Sequence, residues 1–239
     1  SSESLRPQDC GDLQRAGQII SGVYVLFPTA NSTGVAAYCD METEAGGWTV
    51  IQKRGQYGNN AYHFYRNWTE YKTGFGNPKK EYWIGNNALH ALTSEDRDFL
   101  LRVQLRNETN GSLVAYYKTF RVASEGELYK LTIGDYYGPP GSDSLTYANG
   151  ANFSTFDQDN DKDGGNCAEQ FRGGWWYTAC HSSNLNGLNL NGEHASYADG
   201  IEWSQLNHHA GLYRYSYPEA QMMIREVNFI PGVDFLNPR

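Results

Sequence analysis

Between Asp157 and Asn166 the sequence runs Asp-Gln-Asp-Asn-Asp-Lys-Asp-Gly-Gly-Asn, which sets four carboxylates at alternate positions among turn-forming residues. Hard oxygen donors crowded this closely suit Ca2+, and without a cation their mutual repulsion opposes an ordered loop. Counted from Asp159, the pattern follows the twelve-residue helix–loop–helix calcium loop through Asp161, Asp163 and Gly164. It then fails, because Gln170 stands where a bidentate carboxylate belongs and no amphipathic helices flank it. The expectation is a single loop site made of two Asp side chains, backbone carbonyls and water. A solvated acidic turn is the alternative.

A second cluster is aromatic: Phe171, Trp175, Trp176, Tyr177, His181, Tyr197, Trp203, Tyr213, Tyr215 and Tyr217. Trp175, Trp176 and Trp203 read as core. His181, Tyr197 and Tyr213 are amphipathic and suit the wall of a shallow pocket, an apolar floor with hydroxyl and imidazole rims. Neutral polar ligands such as sugars or acetamides need that composition. Signatures of catalysis are missing: there is no G-x-S-x-G elbow, P-loop, dinucleotide glycine fingerprint or H-E-x-x-H. The neighbouring pair His208-His209 hints at a transition-metal site but reads better as a solvated loop. No enzymatic activity is expected.

Both clusters need a scaffold. Strand-like runs occur at Val23 to Phe27, ending at Pro28, and at Trp48 to Gln52, entered through Gly46-Gly47. Further runs lie at Phe99 to Leu105, Leu113 to Phe120 and Leu128 to Ile133, and Gln221 to Val227 looks like a strand returning to the same sheet. Trp83 to Leu92 reads as a short helix capped by Asn, with Leu89 and Leu92 on its apolar side. From Gly138 to about Tyr217 the periodicity fades into Gly, Asn, Ser, Asp and aromatics. So long an irregular stretch must be tied down by something else, and it contains the acidic loop and two cysteines.

The chain has 239 residues, enough for one substantial core or two small ones, and carries 19 basic against 27 acidic side chains, a net −8. With no basic cluster, nucleic acid and anionic membrane surfaces are poor partners. No apolar run nears the roughly 18 residues of a bilayer span, and Ser1 opens a polar stretch, so the sequence reads as a soluble, already processed domain. Cys10, Cys39, Cys167 and Cys180 allow three pairings. Pairing between sequence neighbours, Cys10–Cys39 and Cys167–Cys180, is favoured over a zinc site, which lacks both CxxC and suitable His spacing. N-x-S/T acceptors at Asn31, Asn67, Asn107, Asn110 and Asn152 exceed the roughly two expected by chance and support a secreted glycoprotein.

Several spaced motifs then occur in one order: Gly46-Gly47-Trp48-Thr49-Val50-Ile51-Gln52-Lys53-Arg54, Tyr82-Trp83-Ile84-Gly85-Asn86, the Asp159 to Cys167 loop, Gly174-Trp175-Trp176 to Cys180-His181, and Asn184-Leu185-Asn186-Gly187. Together they resemble the fibrinogen-related C-terminal domain from about Cys10 to Val227, and most of all its lectin branch, the ficolins, tachylectins and ixoderins. The resemblance implies an α+β fold with a central twisted antiparallel sheet, few short helices and a loop-rich calcium- and ligand-binding subdomain. It implies one domain over 10–228 between tails 1–9 and 229–239, with subdomains at 10–48, 49–140 plus 218–228, and 141–217.

The same resemblance implies that Ca2+ is held by the side chains of Asp159 and Asp161 and the backbone carbonyls of Asp163 and Gly165. It implies both disulfides and a non-proline cis peptide at Ala179-Cys180. The N–H of Cys180, with that of His181, would then face an acetyl carbonyl oxygen, while Phe171, His181, Tyr197 and Tyr213 surround the methyl. The implied partners are acetylated carbohydrates such as N-acetylglucosamine on microbial surfaces, bound in innate immunity by a homo-oligomer. Fibrin-forming members bind a cationic peptide terminus through carboxylates, at positions that align with Phe171 and Ala198, so that mode is disfavoured here. An insertion near Leu206 to His209 would shift one pocket wall. A protein-binding module, acting as receptor ligand or in adhesion, is the alternative function.

Overall fold

A computed structural model of the chain describes residues 6–94, 97–204 and 213–231. Helix α1 (Cys10–Arg15) precedes strands β1 (Gly22–Leu26), β2 (Val35–Asp40) and β3 (Trp48–Arg54). Helix α2 (Trp68–Thr73), the short strands β4 (Phe75–Gly76) and β5 (Tyr82–Trp83) and helix α3 (Asn86–Thr93) follow. Three long strands come next: β6 (Phe99–Arg106), β7 (Ser112–Val122) and β8 (Leu131–Tyr137). Beyond them lie helix α4 (Cys167–Gln170), the two-residue strands β9 (Ser183–Asn184), β10 (Gly192–Glu193), β11 (Glu202–Trp203) and β12 (Tyr215–Ser216), and finally β13 (Glu219–Glu226). The expected α+β class with a large antiparallel sheet and few short helices is what the chain adopts.

The main sheet runs β1-β2-β3-β13-β6-β7-β8, with β5 on β3 and β4 on β5, all antiparallel. The last long strand is therefore central. It pairs β3 on one side, Gln221 opposite Lys53, and β6 on the other, Met222 opposite Val103. Period-two alternation sends Leu101, Val103, Leu105, Ala115, Tyr117, Met222 and Ile224 to one buried face. The opposite face has a smaller core of Trp48, Val50 and Met223. Residues 22–54 share this sheet, because β2 pairs β3 through Tyr38 opposite Val50.

Two expectations are corrected. Asn86 is the first helical residue of α3, not its cap: Gly85 precedes the helix, and the Asn86 carboxamide oxygen accepts from Trp83 Nε1 at 3.1 Å. The strand expected at Leu128 to Ile133 begins only at Leu131, since Leu128 (φ 56°) and Tyr129 (φ 50°) turn through the left-handed region. Tyr129 is fully buried there and its carbonyl takes Trp176 Nε1 at 2.8 Å. A tertiary hydrogen bond thus outweighs local β propensity. Helices α1 and α2 and strand β2 had no strong sequence signal, although α2 has a capping box in which Asn67 accepts from Glu70 N and Glu70 from Asn67 N.

A buried polar girdle joins the sheet to the loop-rich region. Arg54, on the end of β3, is 1% exposed; its Nε donates to Glu81 (3.1 Å) and its Nη1 to the carbonyls of Leu185 and Gly187, both at 2.8 Å. Its guanidinium lies 3.8 Å from the Phe64 ring centroid. Burial lowers the Arg54 pKa despite the Glu81 charge, and a guanidinium paired with a carboxylate stays cationic in a folded protein. Gln52 adds Nε2 to Leu185 O at 2.9 Å, and Asn186 Nδ2 reaches Gly174 O at 2.8 Å. A Cβ on Gly174 would overlap the Tyr71 ring, and one on Gly187 would overlap the Gly200 carbonyl, so both motifs need glycine for close approach. Removing one partner of a buried pair strands the other charge, and Glu81→Ala is expected to cost about 3–5 kcal/mol in urea unfolding. A loss below about 1 kcal/mol would show that Arg54 does not need its carboxylate.

Candidate functional site

The irregular stretch is held by its own side chains. The main-chain N–H of Asn160 donates to Ser154 Oγ (2.9 Å), Asn160 Nδ2 reaches Phe153 O (2.8 Å), and Lys162 N donates to Thr178 O (3.0 Å). Both disulfides form, Cys10–Cys39 with Cα atoms 5.4 Å apart and Cys167–Cys180 with 5.5 Å. The second closes the acidic loop against the segment that carries His181.

Within that loop Asp159, Asp161 and Asp163 each take the N–H two residues on, whereas Asp157 accepts from Trp68 N and Thr155 Oγ1. Asp159 Oδ1 accepts from Asp161 N (3.2 Å), Asp161 Oδ1 from Asp163 N (2.8 Å) and Asp163 Oδ2 from Gly165 N (2.9 Å). Asp161 Oδ2 also accepts from Cys167 N at 2.9 Å. Burial raises the Asp161 pKa, and the adjacent Asp159 carboxylate raises it further. Two carboxylates side by side form the donor set a hard cation relieves. The carbonyl oxygens of Asp163 and Gly165 accept no hydrogen bond among the described residues. The loop therefore fits the expected calcium ligands Asp159, Asp161, Asp163 and Gly165 in chemistry. The Asp163 carboxylate also lies near both bridge sulfurs, but these are spent in the disulfide and offer no thiolate.

Beside the loop lies a cavity of about 430 Å³ that gathers all five expected ligand residues, Phe171, Cys180, His181, Tyr197 and Tyr213, with Asp163, Gln170, Ala179 and Ala198. The Ala179-Cys180 peptide is cis. Phe171 meets His181 edge-on at 4.8 Å, His181 and Tyr213 are 5.9 Å apart, and Tyr213 and Tyr197 are 5.6 Å apart. Tyr197 is 55% exposed and forms the outer rim. The Ala198 N–H donates to Tyr213 O at 2.7 Å, which joins two walls. Neither the Cys180 nor the His181 backbone N–H finds an acceptor among the described residues. Gln170 and Ala179 were not foreseen; only their places beside Phe171 and Cys180 could have marked them. Phe171 and Ala198 make the walls apolar as expected, but Asp163 adds a carboxylate at the edge. The insertion near Leu206 to His209 and the His208-His209 pair lie outside the described residues.

The ring of His181 contacts the Ala198 carbonyl through Nε2 at 2.8 Å, and its Nδ1 is sealed from solvent without a partner. Burial pushes its pKa down to about 4, against a smaller upward pull from Ala198 O. His181 is thus neutral, with Nε2–H as donor. His194 differs: burial opposes its charge, but Glu202 at 2.7 Å and Asp199 outweigh that and raise its pKa.

Residues 6–227 match the family described as fibrinogen beta and gamma chains, C-terminal globular domain. The chain belongs to that family. As a fibrinogen-like domain it is 48% identical over 225 residues to Techylectin-5A of Tachypleus tridentatus, spanning 93% of this chain and 75% of that protein. It is 42% identical over 218 residues to Ryncolin-4 of Cerberus rynchops, spanning 91% of this chain and 61% of that protein. The fibrinogen-like globe domain of human ANGPTL2 superposes with TM-score 0.84 at 38% identity, over 92% of this chain and 98% of that one. A lamprey fibrin D-dimer complexed with the peptide Gly-His-Arg-Pro-amide gives 0.83 at 29% identity, over 99% and 78%. The family resemblance read from the motifs is thereby borne out.

Of the sequons, Asn31 and Asn110 are exposed, while Asn67 caps α2. Asn107 is half-buried with its Oδ1 on Gly111 N, and Asn152 is half-buried beside a fully buried Ser154.

The two histidines predict opposite pH responses. The folded pKa of His181 lies below its unfolded value near 6.5, so its contribution to stability is complete above that pH and is lost as pH falls toward about 4. The contribution of His194 is present below about 6.5 and is lost as pH rises through its raised folded value. Imidazole NMR should find His181 neutral down to about pH 4, and a midpoint near 6.5 would contradict a sealed ring.

Proposed function

We propose that this fibrinogen-like domain is an extracellular, calcium-dependent lectin that recognises N-acetyl groups of carbohydrates, such as N-acetylglucosamine on microbial surfaces, in innate immunity. The observation that carries the reading is the pairing of unused Cys180 and His181 N–H donors with the Phe171, His181, Tyr197 and Tyr213 wall. An acetamide presents one carbonyl acceptor, one N–H donor and one methyl. The two donors suit the carbonyl, the rings suit the methyl, and a Tyr hydroxyl suits the N–H. A neutral His181 keeps the floor uncharged, which favours an uncharged group over an ammonium.

Ca2+ supplies charge neutralisation to the loop in this reading. Asp159 and Asp161 hold it with the Asp163 and Gly165 carbonyls. The ordered loop, through Cys167–Cys180 and Asp163, sets the cavity wall without touching sugar. No catalysis is proposed. The four bridged cysteines fit an oxidising compartment, and the identity to Techylectin-5A, a lectin by name, supports carbohydrate binding. One acetyl group in a shallow cavity binds weakly, about −4 to −6 kcal/mol, so a homo-oligomer would supply avidity. A peptide-binding module is the second reading, favoured by the Asp163 carboxylate at the cavity edge and by the peptide-bound lamprey relative.

Calorimetric titration with N-acetylglucosamine, with glucose as control, should give saturable heat from the acetylated sugar alone, lost on chelation. Tyr197→Ala should abolish that heat with the fold retained, and Asp159→Ala should lower both binding and stability. A folded, calcium-loaded protein that gives no heat at millimolar sugar would favour the peptide reading. Unaltered binding by Asp159→Ala would refute the calcium role.

A further inference from the structure

A second aromatic surface lies on the far side of the Phe171-Arg172 link. Tyr62 is 54% exposed and meets Tyr65 edge-on at 6.1 Å; Tyr65 in turn lies 4.9 Å from Phe156, which is 37% exposed. The Arg172 guanidinium sits 5.5 Å from the Tyr65 ring centroid, and Nη1 makes a long 3.4 Å contact with the Tyr65 hydroxyl. Arg172 is partly exposed, and among the described residues its guanidinium has the Tyr65 hydroxyl as its hydrogen-bond partner and no ion pair. Core packing does not explain this group. The central aromatic cluster closes around Trp83, Phe153 and Trp176, whereas Tyr62 and Phe156 present their rings to water. Contiguous exposed rings edged by a planar donor mark an interaction surface.

The chain places this surface next to the acetamide cavity. Phe171 lines the cavity, and Arg172, the next residue, turns away at φ 57° toward Tyr65. Phe156 directly precedes the acidic loop, and its carbonyl is held by Asn166 Nδ2 at 3.0 Å, so cation binding would order cavity and surface together. We propose that Tyr62, Tyr65, Phe156 and Arg172 form a second saccharide subsite, which stacks an uncharged pyranose of a chain whose neighbouring residue is anchored by its acetyl group. This rests on the acetyl-binding reading of the cavity. The C–H face of a pyranose is apolar and packs on aromatic rings, while its ring-edge hydroxyls accept from a guanidinium. An anionic sugar is the poorer fit, because the chain carries a net −8 and the Glu169 carboxylate already acts on Arg172.

The test compares N-acetylglucosamine with N,N′,N″-triacetylchitotriose by calorimetry in calcium, for the wild type, Tyr62→Ser and Arg172→Gln. The wild type should bind the trisaccharide about five- to tenfold tighter than the monosaccharide. Both variants should keep wild-type affinity for the monosaccharide and drop to the roughly threefold gain that three equivalent acetyl groups give statistically. A wild-type gain no larger than that, or an undiminished gain in both variants, would overturn the subsite while leaving the cavity reading intact. Absence of monosaccharide binding in the wild type would overturn the cavity reading and this inference with it. Tighter binding of a hyaluronan tetrasaccharide than of chitotriose, lost in Arg172→Gln, would overturn the assignment to uncharged sugar.

Discussion

The candidate site depends on a cation buried away from water. Arg54 reaches from the end of a central strand into the loop at Leu185 to Gly187 and hands its donors to main-chain carbonyls that no strand could satisfy. An irregular segment can be buried only when its polar backbone is paired, and Arg54, Gln52, Asn184 and Asn186 do that pairing. Asn184 ties the Phe171 carbonyl at 3.0 Å, which carries the constraint from the sheet to the cavity wall. The hydrophobic effect alone would collapse these aromatics without fixing which ring faces the opening.

Electrostatics of the opposite sign govern the neighbouring loop. There carboxylates accept local N–H groups and crowd one another. The disulfide and the Lys162 to Thr178 hydrogen bond tie that loop to the residues around His181. One region is thus organised by an internal cation and the other by a row of crowded carboxylates, and the cavity lies beside the latter.

Much of this was legible in the residues. Short runs rich in β-branched and aromatic residues placed β3, β6, β7 and β13 to within a residue or two at most ends, because such side chains pack on a pleated, buried surface. Tyr197 and Tyr213 were legible by type, as amphipathic side chains in a segment without regular structure. The start of β8 was not, because the Tyr129 carbonyl is claimed by a tryptophan 47 positions away. Nor was the role of Asn86, whose capping chemistry serves the Trp83 indole. Gln170 and Ala179 carry no distinctive chemistry of their own and reach the cavity as chain neighbours of Phe171 and Cys180. The motifs around Gly174 and Asn184 to Gly187 were recognisable as a family pattern, but their physical reason, close packing against Tyr71 and Gly200, lies in contacts distant in sequence.

The central place of β13 has a consequence for biosynthesis. A ribosome releases β3 and β6 long before Glu219 to Glu226, yet those strands do not pair with each other: the late strand fills the slot between them. Until it arrives, the nascent chain holds two part-sheets with unpaired inner edges, the templates on which chains associate wrongly. Closure is therefore long-range by construction, and the domain behaves as a clasp that shuts only at its final strand. Nicking the chain within that strand would part the sheet down its middle rather than fray its rim.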